Sequence, residues 1–292
     1  IMAAAGITVV LYRRFLPEVP VPAVLMIATS AMLGAMLGTP VAAALVLGTV
    51  LGGGGPGQMW DRLFAPLVAA GAGAITYHLL GGASWDMGLP AYDAAWIDLF
   101  WASVIGAAGV VAAVAFAPAH RLFRRLRHPM AYVTLGGALL GVLALIGGQI
   151  TMFKGAEETA EILADRDEYG AATLALFVVV KLAAIVISGA AGFRGGRIFP
   201  ALFTGVTFGL LAHALLPDVP LTLAVAAGTL GVVFAIGRDG WIALFAAVLI
   251  AGDVGVLPIL CVAVLPVWLV LTRAPHMLVH VEAPEPAPEA RA

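Results

Sequence analysis

Long apolar stretches separated by short breaks of glycine, proline or charge make up almost the whole chain. The clearest apolar stretches run over 21–37, 41–51, 63–80, 99–117, 130–146, 171–191, 198–216, 221–236, 241–251 and 254–271. In hydrocarbon each main-chain amide needs an internal partner, so stretches of this kind predict helices rather than open strands. Their lengths are uneven. Several approach the ~20 residues that span a bilayer, whereas 41–51 and 241–251 are nearer a dozen, which predicts half-spans or re-entrant pieces.

Composition narrows the class. Of 292 residues, 62% are hydrophobic and 11% charged, against about 25% charged in a soluble domain. A water-soluble fold and a disordered chain are both excluded. Cys261 is the single cysteine, so there is no disulfide framework. The net charge of −2 carries no nucleic-acid signature. The expectation is an all-α polytopic membrane protein whose surroundings are a lipid bilayer. Residues 1–280 form one membrane domain and 281–292, ending EAPEPAPEARA, form a disordered Pro/Glu-rich tail. Ile1 lies inside an apolar stretch with no basic flank or cleavage site, which predicts a fragment lacking its first helices.

Charge gives the orientation. Residues 120–128 read HRLFRRLRH, which the positive-inside rule places in the cytoplasm. The loops over 81–98 and 154–169 are acidic and are expected outside, with 99–117 and 130–146 as the two crossings.

The stretch that carries chemistry is 181–209, KLAAIVISGAAGFRGGRIFPALFTGVTFG. An apolar helix ends in a glycine-rich break, with Gly192, Gly195 and Gly196. A second helix then starts near Arg197, Ile198, Phe199 and Pro200, where proline's fixed φ suits the first turn. A helix start carries unpaired N–H groups and roughly half a positive charge. Glycine lets an ion approach that backbone. Together these predict an anion site built from amides. Arg194 and Arg197 either form a positive funnel or lie at the membrane surface or against an acid such as Asp239 or Asp253. Lys181, inside an apolar helix, pairs with an acid or a carbonyl, or snorkels.

This stretch resembles the helix-breaking segment of the CLC chloride channel and transporter family. Gly195, Gly196, Pro200 and Gly205 match that family's pattern, while Ile198 stands at its phenylalanine position and Phe199 follows. AMLGTPVAAALV, over 35–46, is similar to a second family turn, with Thr39 and Pro40 as its helix break. RDGW, over 238–241, falls where the family starts another short helix. The resemblance is strongest to the bacterial YfeO-type ion-transport branch, along nearly all of 1–280.

It implies a fold of two inverted helical halves and no enzymatic activity. It also implies an inorganic anion, chloride or another halide, held by backbone amides, with no cofactor. A homodimer in the bacterial inner membrane, one pathway per subunit, follows from the same resemblance. The family's gating glutamate belongs to a stretch that would precede Ile1. Thr49 or Val50 stands where exchangers carry an inner proton-transfer glutamate, and neither carries a proton. Met277 stands near the anion-contacting tyrosine. The alternative reading is a membrane-embedded structural or transport-inactive CLC-like domain.

Other chemistry is weaker. The six histidines (His78, His120, His128, His213, His276 and His280) form no ligand set at a usual spacing, so no metal site is expected. His78 and His213 read as helix-end residues. Ser188 lacks the context of an intramembrane protease. GGGGPG at 52–57 lacks the ending of a phosphate loop and reads as a connection.

Overall fold

The computed structural model describes residues 2–15, 19–37, 59–80, 87–115, 129–193 and 195–275. Among them are eleven α-helices, and each predicted apolar stretch that falls there is helical. They are α1 (Met2–Phe15), α2 (Val21–Leu37), α3 (Met59–Leu79), α4 (Trp96–Val114), α5 (Pro129–Gly147) and α6 (Ala156–Ala164). Then follow α7 (Ala171–Ala190), α8 (Ile198–Leu215), α9 (Leu221–Gly237), α10 (Gly240–Ala251) and α11 (Leu257–Arg273). The predicted short stretch 41–51, the helix break at Thr39 and Pro40, the basic loop 120–128 and the C-terminal tail lie outside the described residues.

Among the described residues, five helical stretches are long and apolar enough to cross a membrane: Trp96–Val114, Met130–Gly147, Ala171–Ala190, Ile198–Leu215 and Val254–Arg273. The shorter α9 occupies the centre. Every residue from 222 to 236 is buried, because α4, α8, α10 and α11 all pack against it. A helix apolar all round needs such surroundings.

Small residues make the central crossings possible. Gly205 and Gly209 of α8 meet Gly228 of α9 backbone to backbone. A Cβ at Gly228 would lie 2.7 Å from the Gly205 carbonyl oxygen and from the Gly209 nitrogen. About 60° further round α9, a Cβ at Gly231 would overlap the Gly106 carbonyl of α4. The α2–α3 pair uses the same device, with Gly34 against Ala70 and Gly73 against Ala31. Close approach replaces the hydrophobic effect as the source of association where the solvent is itself apolar.

The acidic loop over 154–169 is more ordered than its charge suggested. It contains α6, whose Thr159, Ile162 and Leu163 are buried. Glu158, at the third position of α6, accepts the Gly155 N–H at 2.9 Å. A short amphipathic helix is hidden here among solvent-facing acids.

Polar clasps close the two ends of the bundle. Asp253 accepts the N–H groups of Tyr92 (2.8 Å) and Gly255 (2.7 Å), and these amides hold its carboxyl below the usual carboxylate range. Tyr92 in turn donates its hydroxyl to Asp98 at 2.7 Å. At the other end Arg238 sits in the left-handed region, φ 56°. Its guanidinium donates to the carbonyls of Leu271 (3.1 Å), Ala274 (3.0 Å) and Pro275 (2.7 Å), closing the C-terminus of α11.

Arg238→Ala is expected to lower stability by roughly 2–3 kcal/mol through lost charged hydrogen bonds. Arg238→Gly should be the milder change by about 1 kcal/mol, because glycine adopts φ > 0 without a Cβ penalty. Thermal unfolding of the two variants in detergent checks the order. Equal stability of both with the parent would contradict the clasp.

Candidate functional site

The break between α7 and α8 is built by backbone geometry. Phe193 donates its N–H to the Ser188 carbonyl (3.0 Å) and Gly192 donates to Gly189 (3.3 Å). With Gly192 at φ 76°, this is a Schellman ending, which stops α7 and turns the chain back. Only a residue at ease with positive φ fits there, and glycine does.

After the turn the chain passes Gly195 and Gly196, both exposed, to Arg197, the N-cap of α8. No side chain caps this helix start and no acid lies in its first turn. The first helical bond runs from the Ala201 N–H to the Arg197 carbonyl at 3.1 Å. Pro200, in the first turn, has no N–H to satisfy. Ile198, Phe199 and Pro200 are half-buried and Arg197 is exposed. A Cβ added at Gly195 or Gly196 would meet nothing within 4 Å. The start of α8 is therefore an open backbone surface with positive polarity.

The end of α9 lies beside it. A Cβ at Gly237 would sit 3.5 Å from Ile198 Cδ1. The next residues begin α10, the short helix placed at RDGW by the sequence. Asp239 caps it by accepting the Ile242 N–H at 3.0 Å. The carboxylate of Asp253, a partner considered for the arginines, is instead engaged by Tyr92 and Gly255.

Behind the first turns of α8 is a buried cation. Lys181 is 2% exposed and donates to the carbonyls of Thr151 (2.9 Å) and Phe153 (2.8 Å). Its ammonium also lies 4.9 Å from the centre of the Phe203 ring of α8. Of the alternatives open for this lysine, the carbonyl pairing is the one found. A lysine in mid-helix costs about 2.5–3.5 kcal/mol on insertion scales, so these contacts offset a substantial penalty. The segment it holds leads to Gly155, where a Cβ would lie 3.0 Å from the Phe199 carbonyl oxygen and 2.9 Å from Phe203 Cβ.

A family model described as voltage gated chloride channel matches residues 2–270. The chain belongs to the voltage gated chloride channel family. Among its relatives is "Putative ion-transport protein YfeO" of Escherichia coli O1:K1 / APEC, 37% identical over 286 residues, which cover 96% of this chain and 68% of the relative. The protein of the same description from Escherichia coli strain K12 / DH10B is 38% identical over 280 residues, 94% of this chain and 67% of the relative. The solved structure of a CLC-type fluoride/proton antiporter superposes with a TM-score of 0.69 at 22% identity, covering 91% of this chain and 67% of that one. That likeness shows the fold. Family membership and the apolar helices make this a multi-pass membrane protein of an anion-transport family.

In this voltage gated chloride channel family member, the structure brings Gly195, Gly196, Arg197, Ile198, Phe199 and Pro200 together at one helix start, with Gly192 in the preceding turn. Arg194, Thr39, Pro40 and Met277 lie outside the described residues. His78 and His213 are in the last turns of α3 and α8, and His213 Nδ1 is 2.8 Å from the Val219 carbonyl. Among the described residues no group of three His, Cys, Asp or Glu could hold a metal. The Thr151–Gly155 support under α8 was not read from the sequence. Its one local signal is Gly155 followed three residues later by Glu158, a helix-start pattern.

Proposed function

We propose that this protein moves an inorganic anion, chloride or another halide, past the first turn of α8. Main-chain N–H groups around Gly195, Gly196, Arg197, Ile198 and Phe199 hold the ion, and the Arg197 side chain raises the local potential. The observation that carries the reading is the uncapped start of α8, free of acids in its first turn and open above its glycines. An anion there gains aligned dipoles without an ion pair tight enough to trap it. In this reading Met277 is a further pathway residue, and Thr39 and Pro40 form a second helix break. The protein works as a homodimer in the bacterial inner membrane, with one pathway per subunit.

The test is electrode-monitored efflux of chloride and fluoride from proteoliposomes carrying the full-length protein, with parallel pH recording. Efflux above protein-free vesicles is expected. Thr49 and Val50 cannot relay a proton, so no fixed proton-to-anion ratio is expected. A steady ratio would contradict that part. A folded, inserted protein that releases neither anion would establish the transport-inactive alternative.

A further inference from the structure

We propose that Lys181 is a positioning residue for the anion turn, fixing the first two turns of α8 and setting how tightly the ion is held. This rests on the reading of the α8 start given above.

Lys181 sits mid-way along α7 and does not reach the anion turn. It acts through two routes that the structure connects. The first is mechanical. Its ammonium gathers the Thr151 and Phe153 carbonyls, which fixes the chain leading into Gly155. Gly155 adopts φ 93° and is pinned by the carboxylate of Glu158. Lacking a side chain, it lets its backbone rest directly on the Phe199 carbonyl and on Phe203. Phe199 belongs to the first turn of α8, so the support lies directly beneath the amides that face the ion.

The second route is electrostatic. The acceptors of Lys181 are neutral carbonyls and an aromatic face. The nearby carboxylate of Glu158 takes the Gly155 N–H. Phe203 lies four residues beyond Phe199, about 6 Å along the helix axis. A positive charge at that depth, in a water-poor interior, is offset in part by the Glu158 carboxylate that interacts with it, and the remainder adds to the polarity of the helix start.

The experiment compares chloride flux against chloride concentration in proteoliposomes of the full-length protein and its variants Lys181→Met, Lys181→Arg, Phe203→Leu and Gly196→Leu. Lys181→Met is expected to raise the half-saturating chloride concentration about tenfold, with Lys181→Arg returning within about threefold of the parent. Phe203→Leu keeps an apolar side chain, loses the aromatic face, and should fall between them. A residue needed only for folding would lower the amount of active protein and leave half-saturation unchanged, and that result overturns the proposal. If Lys181→Met does not fold, Phe203→Leu decides, with parental half-saturation again overturning it. The Gly196→Leu arm separates the two readings. Parental flux there removes the anion turn itself. A silent Gly196→Leu beside parental saturation in Lys181→Met and Phe203→Leu removes only the role of Lys181.

Discussion

Gly228→Leu is expected to leave no folded protein. The residue sits where α9 crosses α8, and a Cβ there would lie 2.7 Å from the Gly205 carbonyl oxygen and the Gly209 nitrogen. Both are main-chain atoms of a helix, so neither can rotate aside as a side-chain end would. Overpacking a core costs about 1–3 kcal/mol even where side chains can adjust. Here α8 and α9 must separate. Separation also disturbs α4, because a Cβ at Gly231, one turn further along α9, already overlaps the Gly106 carbonyl. A penalty above about 5 kcal/mol is comparable with the whole stability of many domains. Size-exclusion profiles after detergent extraction should show aggregate in place of a single peak. Gly137→Leu is the matched control, since a Cβ at Gly137 on α5 meets nothing within 4 Å. Parental stability in Gly228→Leu would mean that this crossing is not close-packed.

The crossing was only partly legible in the sequence. Glycines four apart, such as Gly205 and Gly209, announce close helix packing, but not which helix they meet. That α9 is the element buried throughout follows from its position among α4, α8, α10 and α11, and such a position is a long-range property. The break between α7 and α8 was far more legible. Gly192, the Gly195–Gly196 pair and Pro200 are local constraints on φ and on N–H supply, and local constraints survive folding unchanged. Helix α6 was hidden because four of its nine residues are Glu or Thr, and they and their acidic neighbours could be read as solvent-facing loop. Lys181 was legible as a cation needing a partner. Its acceptors were not, because a main-chain carbonyl has no signature in the sequence. Arg238 shows the same limit: its three acceptors are all carbonyls.

Gly196→Leu is expected to suppress anion flux by about 100-fold or more, on the scale of losing a preorganised backbone donor, while leaving the fold intact. The two halves of that expectation come from one observation. A Cβ at Gly196 meets nothing within 4 Å, and the residue is not among the glycines with positive φ. Leucine therefore enters without a clash or backbone strain, and stability should stay within about 0.5 kcal/mol of the parent. Its side chain must then occupy the space in front of the α8 start. An anion approaching those amides would have to shed water against a hydrocarbon wall, losing hydration without gaining the N–H dipoles. Gly196→Ala gives the graded comparison, because a methyl group narrows the approach and covers less of the turn. Flux should fall in the order parent, Ala, Leu, while unfolding temperatures remain together. Vesicles loaded with chloride and protein of verified insertion give the measurement directly. Undiminished efflux from the leucine variant would place the ion's route elsewhere, however well the helix start suits an anion.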